Sequence, residues 1–295
     1  SSAEPEALSL ELEKENSVAD WADFTLVKLE TTPEIRSSLS SGLYYKNDNA
    51  GETYIDVVID ITNTSSAAVD SDDLVSLTAV SSSGTEYSGT LNAVETDSGK
   101  SVSAYESIAP LTTVRMHCAV SVPDSEDSFA LSLTVNGTVF ACDYTLGDTL
   151  VHTIPLSAGA EISVEDYVGI LFQGTSYTDD LLPSNLSGFY SHYAVDDPES
   201  TYLAIRFDIT NLQSTAKDAD TFVGAKVCYQ EKYVYTGFLV VEEADGSGFN
   251  SYESLDPLVT RNAVFLIEVP KSVMDKDAVV TLTVDGQEYT YDVTA

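Results

Sequence analysis

Apolar and polar residues alternate along many short runs of this chain. In Tyr54–Ile61, Ile55, Val57, Ile59 and Ile61 fall on one face, and Tyr54, Asp56 and Asp60 fall on the other with Val58. Leu203, Ile205, Phe207 and Ile209 repeat the pattern, with Arg206 and Asp208 opposite. Val114, Met116, Cys118, Val120 and Val122 alternate in the same way, as do Leu131, Leu133 and Val135. A period of two marks a strand with one buried face. Asn136-Gly137 and Asp285-Gly286 stand between such runs. Both dipeptides accept positive φ and predict tight hairpins. No stretch carries a convincing helical period. The pattern predicts an all-β protein.

The strand pattern occurs twice. Thr53–Ser66 reads TYIDVVIDITNTSS and Thr201–Ser214 reads TYLAIRFDITNLQS. Ser41-Gly42-Leu43-Tyr44 matches Ser187-Gly188-Phe189-Tyr190, and Asp70, Asp72 and Val75 match Asp218, Asp220 and Val223. Tyr105-Glu106-Ser107 matches Tyr252-Glu253-Ser254, and Leu133-Thr134-Val135 matches Leu282-Thr283-Val284. The period is far longer than the roughly 20–50 residues of solenoid repeats and suits one domain of about 100–150 residues. Two tandem domains are expected, residues 1–148 and 149–295, each closing its own core. Short strands with Gly, Asn, Asp and Ser turns at this length predict an immunoglobulin-like β-sandwich for each.

The formal net charge is −35, from 48 acidic and 13 basic residues. Nucleic acid is excluded as an expected partner, because phosphate binding needs clustered Lys and Arg. Anionic membrane surfaces are disfavoured for the same reason. The acid is dispersed and 43 % of residues are hydrophobic, which describes a folded, self-repelling chain. No apolar run reaches the roughly 18–20 residues of a membrane span. Ser1–Ala7 is small, acidic and contains Pro5, as after a removed secretion or lipoprotein signal, or at an arbitrary boundary.

Each cysteine matches a hydrophobic residue in the other copy: Cys118 with Phe265, Cys142 with Tyr291, Cys228 with Val80. They read as small hydrophobes. A Cys118–Cys142 disulfide is the alternative for an exported protein, although hairpin order sets a strand between them. Zinc is not expected, since neither CxxC nor HxxxH spacing occurs.

The strand ending Asp60-Ile61-Thr62-Asn63-Thr64-Ser65-Ser66, the Tyr44-Tyr45-Lys46-Asn47-Asp48 segment before it, the Asp70–Val75 stretch and Gly84-Thr85-Glu86-Tyr87 carry a family resemblance. They resemble a bacterial domain family of secreted and lipid-anchored proteins of unknown function. That family is related in fold to the mycobacterial immunoprotective extracellular protein. The second copy departs at Glu231, which stands where Gly84 implies glycine. The resemblance implies an immunoglobulin-like fold and an extracellular or cell-surface setting. It supplies no catalytic residues.

Candidate chemistry is sparse. His117 alternates outward beside core-facing Met116 and Cys118, His152 lies near the domain junction, and His192 follows Tyr190. None recurs in the other copy; Val264 replaces His117. No nucleophile elbow, HExxH or phosphate loop is present, so no catalytic, cofactor or metal residue is assigned. Asp70-Ser71-Asp72-Asp73, Asp218-Ala219-Asp220 and Asp196-Asp197-Pro198-Glu199 carry the carboxylates that Ca²⁺ needs, but the ligand count and EF-hand spacing are missing. Short acidic residues also satisfy turn backbones, and that reading is preferred. Asp60, Asp208, Asn63 and Asn211 read as turn formers. Tyr105 and Tyr252 are expected to close a corner through their hydroxyls. The second copy is richer in aromatics, with Phe189, Tyr190, Tyr193, Tyr229, Tyr233, Tyr235 and Phe238. These serve either contact with a partner or packing between sheets. The chain is therefore expected to be a non-enzymatic extracellular or cell-surface binding or spacer protein, with an unknown protein or glycan as ligand. A calcium-stiffened stalk and a glycan-acting hydrolase are the alternatives.

Overall fold

Strand pairing in the computed structural model follows the alternation. The structure describes residues 7–39, 42–96 and 99–293. The opening stretch through Glu6 lies outside them, as does Ser41 of the matched Ser-Gly-Leu-Tyr segment. The chain divides into two compact units, Ser1–His152 and Thr153–Ala295. The junction falls four residues beyond the expected 148/149 boundary. Thr149–Val151 forms an edge strand on Lys28–Glu30 of the first unit, which holds those residues there.

Seven long strands carry the first unit: Ala22–Thr32, Glu52–Asn63, Val75–Ser81, Leu91–Thr96, Thr113–Pro123, Ser128–Val135 and Thr138–Thr145. The fourth, fifth, second and first lie side by side in one sheet, and the seventh, sixth and third in the other. That division is the immunoglobulin order. The second unit repeats it with Val168–Thr178, Ser200–Asn211, Gly224–Tyr229, Phe238–Glu242, Thr260–Pro270, Ala278–Val284 and Gln287–Val293. In each unit a short entering strand, Leu8–Ser9 or Thr153–Pro155, pairs in parallel with the seventh strand. The fold is two immunoglobulin-like β-sandwiches in one chain.

The alternating residues fill the cores. Ile55, Val57, Ile59 and Ile61 are fully buried, as are Leu203, Ile205, Phe207 and Ile209. Asn136 and Gly137 take positive φ between the sixth and seventh strands, and Asp285 and Gly286 do the same. Gln230 and Glu231 also take positive φ, so Glu231 accepts the left-handed backbone that Gly84 supplies in the first unit. The only α-helix among the described residues is the single turn Ser71–Leu74.

Asn63 and Asn211 tie the strand end to the next connections. The Asn63 side-chain amide donates to the carbonyls of Ala67 and Ile108, each at 2.8 Å. Asn211 donates to those of Thr215 at 2.9 Å and Leu255 at 2.8 Å. Each side-chain oxygen accepts a backbone N–H two residues on, from Ser65 and from Gln213. Both are turn formers, as their type suggests.

Cys118, Cys142 and Cys228 are free thiols. Cys118 lies on the fifth strand and Cys142 on the seventh, in opposite sheets, with the sixth strand between them in the chain. Burial pushes the Cys118 thiol well above its ordinary range, so it stays protonated.

Candidate functional site

The long connection between the first and second strands folds back over the outer face of the fourth–fifth–second–first sheet. In the first unit Ile35, Ala93, Val102 and Ala119 form a small second core beneath it, with Tyr45, Tyr54 and Leu91 alongside. In the second unit Leu181, Tyr202, Ala204, Val240, Phe249, Val264 and Leu266 do the same. Each outer face is therefore partly covered where a simple two-sheet sandwich leaves it open.

That cover explains His117. It does point away from the main core, but the connection buries it. Its Nδ1 lies 2.7 Å from Asp56 Oδ2 and its Nε2 lies 3.4 Å from Glu95 Oε1. Glu95 Oε1 also accepts the Ser38 backbone N–H at 2.8 Å and the Ser38 hydroxyl at 2.7 Å. Arg115 donates twice to Asp60, at 2.8 Å from Nε and from Nη2. Burial opposes charge on His117, but the charge and hydrogen bond of Asp56, with Glu95 behind them, raise its pKa from 6.5 to about 9. Burial also pushes the Glu95 carboxyl up, yet His117, Ser38 and Arg115 together carry it below its ordinary value. The group is thus an imidazolium clamped between two carboxylates.

Both ring nitrogens of His117 face carboxylates. The second unit shows what the network replaces. Ala204 stands for Asp56 and Val264 for His117, on the same paired strands. The tie of the connection to the sheet is kept: Glu242 Oε1 accepts the Ser184 N–H at 2.6 Å, as Glu95 accepts that of Ser38. The missed signal was the joint exchange of Asp56 and His117 for two apolar residues.

The other expected residues are dispersed. His152 faces Glu13 at 3.1 Å and His192 faces Asp180 at 2.6 Å, both at exposed sites. Asp72 and Asp73 occupy the helical turn after Asp70, and Asp220 lies in the short helical turn after Asp218. Among the described residues no group of three His, Cys, Asp or Glu side chains is placed to hold a metal ion.

Tyr105 and Tyr252 do not close corners. Tyr105 is 79 % exposed and Tyr252 is 86 % exposed. In the first unit Tyr45 meets the adjacent edge, its hydroxyl accepting the Ala104 N–H at 3.0 Å. Leu111 and Leu258, matched like the tyrosines, are 81 % and 75 % exposed. Each follows a proline and has φ near +60° in a turn, closed by Thr112 N–H to Ala109 O or by Val259 N–H to Asp256 O. Phe189 is 95 % exposed, and matched Leu43 is likewise exposed. Leu43 O accepts the Val102 N–H, which places Leu43 beside the strand that leads to Tyr105. The other aromatics of the second unit divide: Tyr229 is buried and Tyr193 and Tyr235 pack on core clusters, whereas Tyr233 and Phe238 remain exposed.

No protein-family model matches the chain, and no curated protein does either. Among solved structures, an uncharacterised β-sandwich protein from Clostridium difficile 630 is similar, with 26 % identity and a TM-score of 0.45. The match covers 48 % of this chain and 95 % of that one.

Proposed function

We propose that the chain is a non-enzymatic binding protein of the extracellular space or cell surface, with one contact surface on each unit. The observation that carries this reading is the repeated exposure of large apolar residues at matched positions: Leu43 and Phe189, Tyr44 and Tyr190, Tyr105 and Tyr252, Leu111 and Leu258. Single exposed apolar residues are ordinary on a protein surface. Their recurrence on the same connections of both units favours contact with a partner, where tyrosine and large apolar residues serve as anchors. The extracellular setting follows the family resemblance of the strand and turn residues. The buried His117 network is assigned to holding the first unit's connection in place.

Arrays of purified extracellular proteins and of glycans test the reading. The full chain should retain an identified ligand that the Tyr105→Ser, Tyr252→Ser double variant loses by about tenfold or more. Turnover of a bound glycan, or binding indifferent to both tyrosines, would refute it.

A further inference from the structure

We infer that the surface on each unit receives a cationic polypeptide segment carrying an apolar anchor, one segment per unit. This rests on the binding reading above and gives the partner its chemistry. The first observation is conformational. Leu111 and Leu258 take φ near +60°, the left-handed region where a Cβ is unfavourable and glycine is not. Each also stands largely in solvent. Neither backbone nor core calls for leucine there. Glycine would suit the turn better, yet both units carry leucine at this position.

The second observation is charge. In the first unit Asp70 lies opposite Ser107, and the Glu106 carbonyl accepts the Ser71 N–H at 2.8 Å. Asp72 and Asp73 follow at once. In the second unit Asp218 lies opposite Ser254, and the Glu253 carbonyl accepts the Ala219 N–H at 2.9 Å. Asp256 begins the turn that holds Leu258. Tyr105 and Tyr252 thus each precede a glutamate whose carbonyl holds this acidic stretch, and Leu258 follows Asp256 in its turn, where Leu111 follows Ala109. Burial first, and then the crowded charges of Asp73 and Asp70, hold the Asp72 carboxyl above its ordinary value. A positive group would relieve that crowding. A net charge of −35 adds long-range attraction for such a partner and repulsion against a second copy.

Titration calorimetry on the full chain tests this with a synthetic peptide of alternating Lys and Leu, its Glu-for-Lys counterpart, and phosphatidylcholine vesicles. The Lys peptide should bind at two sites per chain and weaken as salt rises. The L111G/L258G variant keeps every charge and suits the turn backbone, so it should melt no lower than the parent. It should bind the Lys peptide at least tenfold more weakly. Equal binding by parent and variant would reduce the effect to bulk charge and overturn the inference. Preference for the Glu peptide, for vesicles or for self-association through these leucines would also overturn it, while leaving the binding reading intact. The binding reading itself stands or falls on the tyrosine-dependent array result.

Discussion

At the scale of the residue, Asp56 and His117 show why burial is hard to read from one chain. Their outward direction was visible in the alternation; their burial was not, because it depends on a connection that lies far from His117 in sequence. The second unit provides the comparison. With Ala204 and Val264 at these places, the outer face is covered without a buried Asp–His pair. Asp56→Ala alone should therefore destabilise the first unit by about 3–5 kcal/mol, since it leaves the buried imidazolium with only the more distant Glu95 as partner. Asp56→Ala with His117→Val should recover most of that loss, as read from denaturant midpoints. The pH dependence has a definite sign. The pKa of His117 is raised in the fold to about 9. Its contribution is then complete below the unfolded value near 6.5 and is lost as pH rises through about 9. Melting temperature should fall over that window in the parent and stay flatter in the double variant. Equal slopes would remove the clamp as the cause.

At the scale of the element, the strands and hairpins were legible, because period-two alternation and Asn-Gly or Asp-Gly turns are local signals. The edge pieces were not. Strands such as Glu34–Ile35, Val69–Asp70 and Ser107–Ile108 have two residues each and exist only because a neighbour pairs with them. Tyr105 misled for a related reason. A tyrosine ahead of a proline suggested a corner, whereas the corner belongs to Asn63, whose amide spans Ala67 and Ile108. Asn63→Ala would leave those carbonyls without their side-chain donor and should cost about 2–3 kcal/mol. Asn211→Ala should act alike in the second unit. Urea unfolding would show it, and a change below about 0.5 kcal/mol would deny these amides their structural part.

At the scale of the whole molecule, domain count and sandwich class followed from the matched copies, and only the junction moved, drawn forward by Thr149–Val151 pairing with Lys28–Glu30. The exposed apolar positions were the less legible part, since exposure depends on how connections lie over the sheets. The entering strands carry one more consequence. Leu8–Ser9 and Thr153–Pro155 each run parallel to the last long strand of their unit. Tension along the chain would pull the two partners in opposite directions along their length. Their hydrogen bonds would then bear load together in shear instead of opening one at a time, with resistance set by the unfolding barrier. Single-molecule stretching should show two separate force peaks. Pro substitution at Leu10, whose N–H donates to the Ala141 carbonyl at 2.9 Å, should lower the first unit's peak alone, and an unchanged peak would mean that load runs elsewhere.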